Sequence, residues 1–460
     1  MMRRCGLVLL VVCSVATHAQ GMDEALAGRV DLAVRQSIAL TGTPSVSVAI
    51  VRNDALVYSR AFGLADIASR AAATTKTRYQ IASISKTFVA QAVLQLVADG
   101  KLTLDDPVSR WFPDLTESAH VTVRQLLAHT SGYPDHYPQG YPAGPRGRAS
   151  TPDAIVAEWG RHPLLFAPGT QFHYSNLEYE VAGLIVEKVS DQPLFQFLQQ
   201  RVFGPVGITD AIDLDTIPAG STALATGYVR NALGPADIAP YEGPGWSFGA
   251  GQVVMTAEDL AKWDIAFLHG TTLPPAMLTE EKTAATLTGG ARAPNGLGLF
   301  VSQTKGETRY YHSGQGLGFT AINLIYPDSH TAIAVLSNTS TGSIVGTVAN
   351  RLAYLLLVPS KDDVYARSVF RGLQSGHPDK TTWSADLTAY MAGPRLATYH
   401  RSLSPLGAVQ SFSLRSSSVT DGLQSRDYDV VSGNRHLYLH LLLLADGQLE
   451  DASVADAAQP

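Results

Sequence analysis

Apolar residues along the chain follow two periodicities, and the chain switches between them. After a helix-like stretch near residues 23–40, Ser45-Val46-Ser47-Val48-Ala49-Ile50-Val51 and Ala55-Leu56-Val57-Tyr58-Ser59 read as two strands, with Asn53-Asp54 between them as a tight hairpin turn. From Ser83 to about Asp99 the pattern becomes helical and apolar on nearly every face, through Ile84, Phe88, Val89, Val93, Leu94, Leu96 and Val97. A helix of that kind is buried in a large core. Thr122-Val123-Arg124-Gln125 reads as a capping box, and Thr151-Pro152-Asp153 and Thr256-Ala257-Glu258-Asp259 as further helix starts. Strand patterns return near residues 297–337, including Thr320–Ile325 and Thr331–Leu336, before a helix near 342–357.

Strands, then a helical block, then strands again is not the strict alternation of a parallel α/β fold. The simplest solution is an α+β fold in which both ends of the domain complete one antiparallel sheet, flanked by helices, while the helical block forms a second lobe. A site at the junction of the lobes follows from that arrangement. Composition changes beyond residue 358, where Lys361-Asp362-Asp363 and Asp379-Lys380-Thr381-Thr382 suggest a linker over 359–380. Past it, a helical segment near 384–402 and strand-like runs at 409–414, 428–431, 437–444 and 449–454 predict a small α+β domain over 381–460, with Asp446-Gly447 as a hairpin turn.

The N-terminus adds a compartment. Arg3 and Arg4, the run Leu7–Val12 and Ala16-Thr17-His18-Ala19 read as a signal peptide over residues 1–19, cleaved after Ala19, so the expected location is secreted or periplasmic. Acylation at Cys13 is the alternative, disfavoured by Val12 where a small residue is wanted. Both cysteines, Cys5 and Cys13, lie in this leader, so the mature domain over 20–358 relies on its core without disulfides. Without Arg3 and Arg4 the 34 basic residues become 32 against 40 acidic ones, a net charge of −8 that argues against a nucleic-acid partner. No second apolar run is long enough for a membrane span.

Chemistry enters at Ser83-Ile84-Ser85-Lys86. On a helix, residues three apart share a face, about 5–6 Å apart at Cβ. In an apolar helix, burial lowers the pKa of Lys86 and lets it take the Ser83 proton, while the first-turn N–H groups favour negative charge beside Ser83. S-x-x-K also occurs at Ser302-Gln303-Thr304-Lys305, but on a strand-like run, where residues three apart face opposite ways. Tyr174-Ser175-Asn176 precedes a helix and offers a hydroxyl, which a nearby ammonium would favour as phenolate, and an amide; a core tyrosine beside a capping asparagine is the plainer reading. His312-Ser313-Gly314-Gln315 ends a strand-like run, where glycine allows close approach to a substrate or, more plainly, makes a turn. Gly245-Trp246-Ser247-Phe248-Gly249 fits G-x-S-x-G but lacks the preceding apolar strand that motif needs. The 13 histidines show no metal-ligand spacing, and neither metal nor cofactor is inferred.

Taken together and in order, Ser83-x-x-Lys86, Tyr174-x-Asn176 and His312-Ser313-Gly314 resemble the serine β-lactamase and penicillin-binding-protein superfamily, most closely the class C β-lactamase-related branch with family VIII esterases and D-aminopeptidases. Leu126-Leu127-Ala128-His129-Thr130-Ser131-Gly132, Pro168-Gly169-Thr170 and Gly249-Ala250-Gly251 support the resemblance, which covers residues 25–355. It implies that Ser83 is acylated and then freed by water, with Lys86 and Tyr174 sharing the proton transfers. Asn176 would hold the substrate amide or Lys86, and the N–H groups of Ser83 and Gln315 would form an oxyanion hole. His312, Ser313 and Gly314 would line the substrate. His312 stands where β-lactamases of this type have lysine, and is expected to be charged only part of the time near neutral pH. The resemblance therefore implies a hydrolase of a small ester, amide or D-amino-acid peptide. A β-lactamase or D-Ala-D-Ala carboxypeptidase, and a penicillin-binding or sensing protein without turnover, are the alternatives.

Overall fold

Ser45–Arg52, buried along almost its whole length, is the strand on which the fold turns. In the computed structural model, which describes residues 21–136, 144–218, 220–232, 234–304, 306–357 and 361–456, it lies inside a seven-stranded antiparallel sheet. From one edge to the other the strands are Ala71–Ala72, Ala55–Asp66, Ser45–Arg52, Thr331–Ser337, Phe319–Tyr326, Glu307–Gly316 and Phe300–Thr304. Val48 opposes Arg60 on one side and Val335 on the other, so the first and last strands of the domain pair at the sheet centre, as the order of patterns predicts. Asn53 and Asp54 both take positive φ, 49° and 61°, the conformation of a two-residue hairpin turn.

Because side chains alternate across a strand, each face of the sheet needs its own cover. Val46, Val48, Ile50 and Val335 pack under the helices Glu24–Thr41 and Ile344–Leu356, through Val30, Val34, Val348 and Leu352. On the opposite face Ala49, Val51, Ala334 and Leu336 join the larger core, which contains Phe88, Leu94, Val181, Ile185, Trp263 and Phe267. That core belongs to the helical lobe, in which Ser85–Ala98 and Asn176–Ser190 pack against each other. Thr122 and Gln125 form the capping box expected, and Thr151 and Thr256 cap their helices.

The C-terminal part has a third core, built from Phe370, Phe412, Tyr428 and Leu439 between three helices and a four-stranded antiparallel sheet over residues 409–456. Here one expectation is corrected. Residues 361–375 of the proposed linker form the helix Lys361–Ser375, and Ala366, Val369, Phe370 and Leu373 on it are buried in this core. The acidic Asp362 and Asp363 sit in the first turn of that helix, where its dipole favours negative charge, and do not belong to a linker. The leader over 1–19 and Lys305 lie outside the described residues. Among the described residues no helix is long and apolar enough to cross a membrane.

Candidate active site

Ser83 opens no ordinary helix. It lies in a single 3₁₀ turn, Ala82–Ile84, that runs straight into Ser85–Ala98, and Ala82 just before it has φ of 45°, a left-handed conformation that costs a non-glycine residue about 1–3 kcal/mol. Neighbours hold the turn in place. The strand Glu307–Gly316 loses its outer partner after Tyr311, so its last residues face the turn instead of another strand. The approach is close enough that a Cβ on Gly314 would lie 2.0 Å from the Ile81 carbonyl oxygen and 3.1 Å from Ser83 N. Only glycine fits there, and the N–H of Ser83, in the first turn, has no acceptor within its own helix.

Lys86, one turn on, is completely buried and places Nζ 3.0 Å from Ser83 Oγ, 2.8 Å from Asn176 Oδ1 and 2.8 Å from the Ala250 carbonyl oxygen. Two of these three partners, an amide oxygen and a backbone carbonyl, can only accept. A neutral amine has two N–H bonds, which those acceptors use, so its lone pair is left facing the Ser83 hydroxyl. Burial is the main reason the pKa of Lys86 falls to about 7, while Asp135, Glu180 and Glu178 oppose the fall. The amine is thus neutral for much of the time near neutral pH.

Asn176 is in turn fixed by Asp135, which accepts from its backbone N and from Nδ2, both at 3.1 Å. Tyr174 is half-buried, with its ring 5.1 Å from Lys86 Nζ and its hydroxyl bonded to Ser83. Burial pushes its pKa up, Asp135 and Glu178 add to the rise and only the hydrogen bond with Ser83 opposes it, so the expected phenolate is corrected to a protonated phenol. His312 calls for a second correction. It is buried, its Nδ1 donates to the Ser313 carbonyl at 2.6 Å, and burial together with Lys86 holds its pKa down to about 3. The imidazole is neutral across the physiological range.

Ser83, Tyr174, Asn176, His312, Ser313 and Gln315 all line one cavity of about 500 Å³, whose apolar walls include Phe172, Trp246, Phe300 and Leu317. Lys86 bonds to two of these lining residues, Ser83 and Asn176, and Gly314 packs against Ile81 and Ser83. The rival Ser247 lines the same cavity, but its Oγ donates to Glu242 Oε2 at 3.1 Å, a carboxylate already paired with Arg146. Ser302 lies elsewhere on the strand Phe300–Thr304 and accepts from Arg309. Asp135 and His136 were not singled out by sequence reading; both come from the loop after Gly132, and no local pattern marks them.

A family model described as Beta-lactamase matches residues 30–357. The chain belongs to the beta-lactamase family. Within that family it is similar to the putative penicillin-binding protein PbpX of Bacillus subtilis (strain 168), 29% identical over 67% of this chain and 74% of that one. Further curated relatives, 26–27% identical, are longer, and the chain spans 62% of their length. Among solved structures, the D-amino acid amidase from Ochrobactrum anthropi SV3 complexed with L-phenylalanine amide matches with a TM-score of 0.63 at 27% identity, covering 72% of this chain and 96% of that one. The octameric penicillin-binding protein homologue from Pyrococcus abyssi matches with a TM-score of 0.64 at 20% identity over 94% and 98% of the two chains, a likeness of fold that takes in the C-terminal part.

Proposed function

We propose that this protein is a secreted serine hydrolase that forms an acyl-enzyme on Ser83 and cleaves small esters or amides, D-amino-acid amides and peptides among them. The observation that carries the reading is the three-point hold on Lys86, which leaves the lone pair of the neutral amine facing Ser83. In the acylation step Lys86 takes the hydroxyl proton as Oγ attacks the carbonyl carbon. The resulting oxyanion is met by the N–H groups of Ser83 and Gln315. Tyr174, kept protonated by burial, gives its proton to the departing oxygen or nitrogen and recovers one from the Lys86 ammonium. Water then attacks the acyl ester and surrenders a proton to the same pair, and Oγ takes one back as the acid leaves.

The neutral His312 favours substrates without a free carboxylate at that position, which weighs against a β-lactamase or carboxypeptidase. The family membership supports hydrolase chemistry in general, and the amidase neighbour supports the amide choice. The name of the Bacillus relative favours a second reading, in which the protein is acylated by penicillin without turnover. Steady hydrolysis of a p-nitrophenyl acyl ester by the wild type, lost in Ser83→Ala, supports the first reading. A stoichiometric burst with no turnover on esters, D-amino-acid amides or short peptides refutes it.

A further inference from the structure

Two side chains beside the site take no part in these steps. His129 and Glu178 are almost completely buried, at 3% and 0% side-chain exposure, and they touch at 2.5 Å between Nδ1 and Oε2. His129 has φ of 55°, a conformation that histidine and asparagine adopt more readily than most residues. Its ring lies under Tyr174, with centroids 4.3 Å apart and planes tilted by 34°. Its backbone carbonyl accepts from the N–H of His173 at 3.0 Å, and its Nδ1 accepts from the N–H of Ser175 at 3.3 Å. One residue therefore holds the chain on both sides of Tyr174 and the tyrosine ring as well.

The direction of these bonds fixes where the protons are. An Nδ1 that accepts from Ser175 carries no proton, and its single lone pair is shared between that N–H and a Glu178 hydroxyl, so the proton in the contact with Glu178 belongs to the carboxyl group. The other oxygen, Oε1, then acts as a carbonyl and accepts from Ser131 Oγ at 2.5 Å and Ser131 N at 3.2 Å. Burial favours this neutral pair, pushing the carboxyl up and the imidazole down. We propose that Glu178 and His129 form a positioning pair for Tyr174: Glu178 fixes the imidazole ring, and that ring sets the height and tilt of the phenol beside Ser83. The inference rests on the reading of Tyr174 as the proton carrier.

The test is a double-mutant cycle on ester hydrolysis with purified full chain. His129→Asn keeps a residue suited to positive φ and an acceptor near the Nδ1 position, but removes the ring. It should lower kcat by roughly 10- to 100-fold, the scale of a misplacement near 1 Å, with KM within about twofold. In a Tyr174→Phe background the same change should cost less than about twofold, because there is no phenol left to position. Glu178→Gln, whose amide offers an N–H to Nδ1 and a carbonyl to Ser131 just as the protonated carboxyl does, should keep kcat within about threefold. Glu178→Leu is the second disrupting variant and should follow His129→Asn.

Equal losses with and without the Tyr174 hydroxyl would overturn the positioning role, and so would full activity in folded His129→Asn. If neither position accepts a disrupting change without loss of the fold, the pair is a scaffold of the core and the proposal also fails. Should Tyr174→Phe alone keep wild-type kcat while Ser83→Ala is dead, the proton-carrier reading is at fault and the positioning pair falls with it. Equal losses alongside a crippled Tyr174→Phe sink the inference alone.

Discussion

The contacts of Lys86 allow its pKa to be moved without removing it. With a pKa of about 7, half of the amine is neutral at pH 7, whereas at the ordinary 10.5 roughly one molecule in 3,000 would be. The shift corresponds to about 5 kcal/mol. Asn176 and Asp135 form a reversible arrangement, in which the amide accepts from Lys86 and donates to the carboxylate. Exchanging them, Asn176→Asp with Asp135→Asn, keeps total charge and can keep the same hydrogen bonds, with the amide of residue 135 now donating to residue 176. The carboxylate then lies in direct contact with Nζ, and such a neighbour raises the pKa of an amine by about 1–3 units.

The assay is kcat/KM against pH on a neutral ester, since that ratio reports the free enzyme. Wild type should show a limb rising with pH and centred near 7, because the active amine is the deprotonated form. In the exchanged protein the limb should move to about pH 8–10, so that activity at pH 7 falls by roughly 5- to 500-fold and returns at higher pH. Activity lowered by one factor at every pH, with the midpoint still near 7, would refute Lys86 as the group whose neutral form attacks the Ser83 proton.

Four further outcomes are expected. Ser83→Ala should reduce ester turnover by at least about 10³-fold, while Ser247→Ala keeps most of it; a covalent inhibitor adduct found by mass spectrometry on Ser247 and not on Ser83 would reverse the assignment. Because His312 stays neutral above about pH 3, the ratio of activities on carboxylated and neutral substrates should show no His312-dependent change between about pH 5 and 9 in wild type; a ratio that falls with a midpoint near 6.5 and loses that midpoint in His312→Gln would restore a charged role. Glu281 is buried with its pKa raised to about 8, so its stabilising protonated form is complete below about pH 4.5 and is lost as pH rises through 8. Glu281→Gln should therefore gain up to about 4 kcal/mol relative to wild type between pH 5 and pH 8.5 in denaturant unfolding, and parallel pH curves for the two proteins would contradict this. A chain ending at Leu357 should fold and keep some ester activity, whereas one ending near residue 376 should aggregate because Ala366, Val369, Phe370 and Leu373 lose their cover; light scattering and turnover on the two chains decide the point, and an inactive or insoluble shorter chain means the C-terminal part completes the catalytic lobe.

Which features could be read from sequence follows from how far apart the interacting residues lie. Ser83 and Lys86 are one helical turn apart, so their spacing alone predicts that they meet, and the apolar run around them predicts the burial that brings Lys86 down to about 7. The strands hold one register because the two faces of Ser45–Arg52 pack into different cores, and a slip of one residue would exchange Val46, Val48 and Ile50 with the smaller Ala49 and Val51. In the helix Lys361–Ser375, Ala366, Val369, Phe370 and Leu373 repeat at helical intervals, but the charges at its start carry the composition of a linker. Asp135 with Asn176, and His129 with Glu178, are 41 and 49 residues apart, and no periodicity reaches that far. Tyr174 and His312 are a different case. Sequence order places their neighbours, but the sign of a pKa shift depends on the balance of solvent and neighbouring groups, and that depends on depth. At Tyr174 desolvation, with Asp135 and Glu178 behind it, outweighs the hydrogen bond with Ser83, and at His312 desolvation and the Lys86 charge act in the same direction. Burial beside Ser83 therefore leaves both rings neutral, which is the state a proton carrier needs at Tyr174 at the start of each turnover and the reason a carboxylate finds no fixed charge at His312.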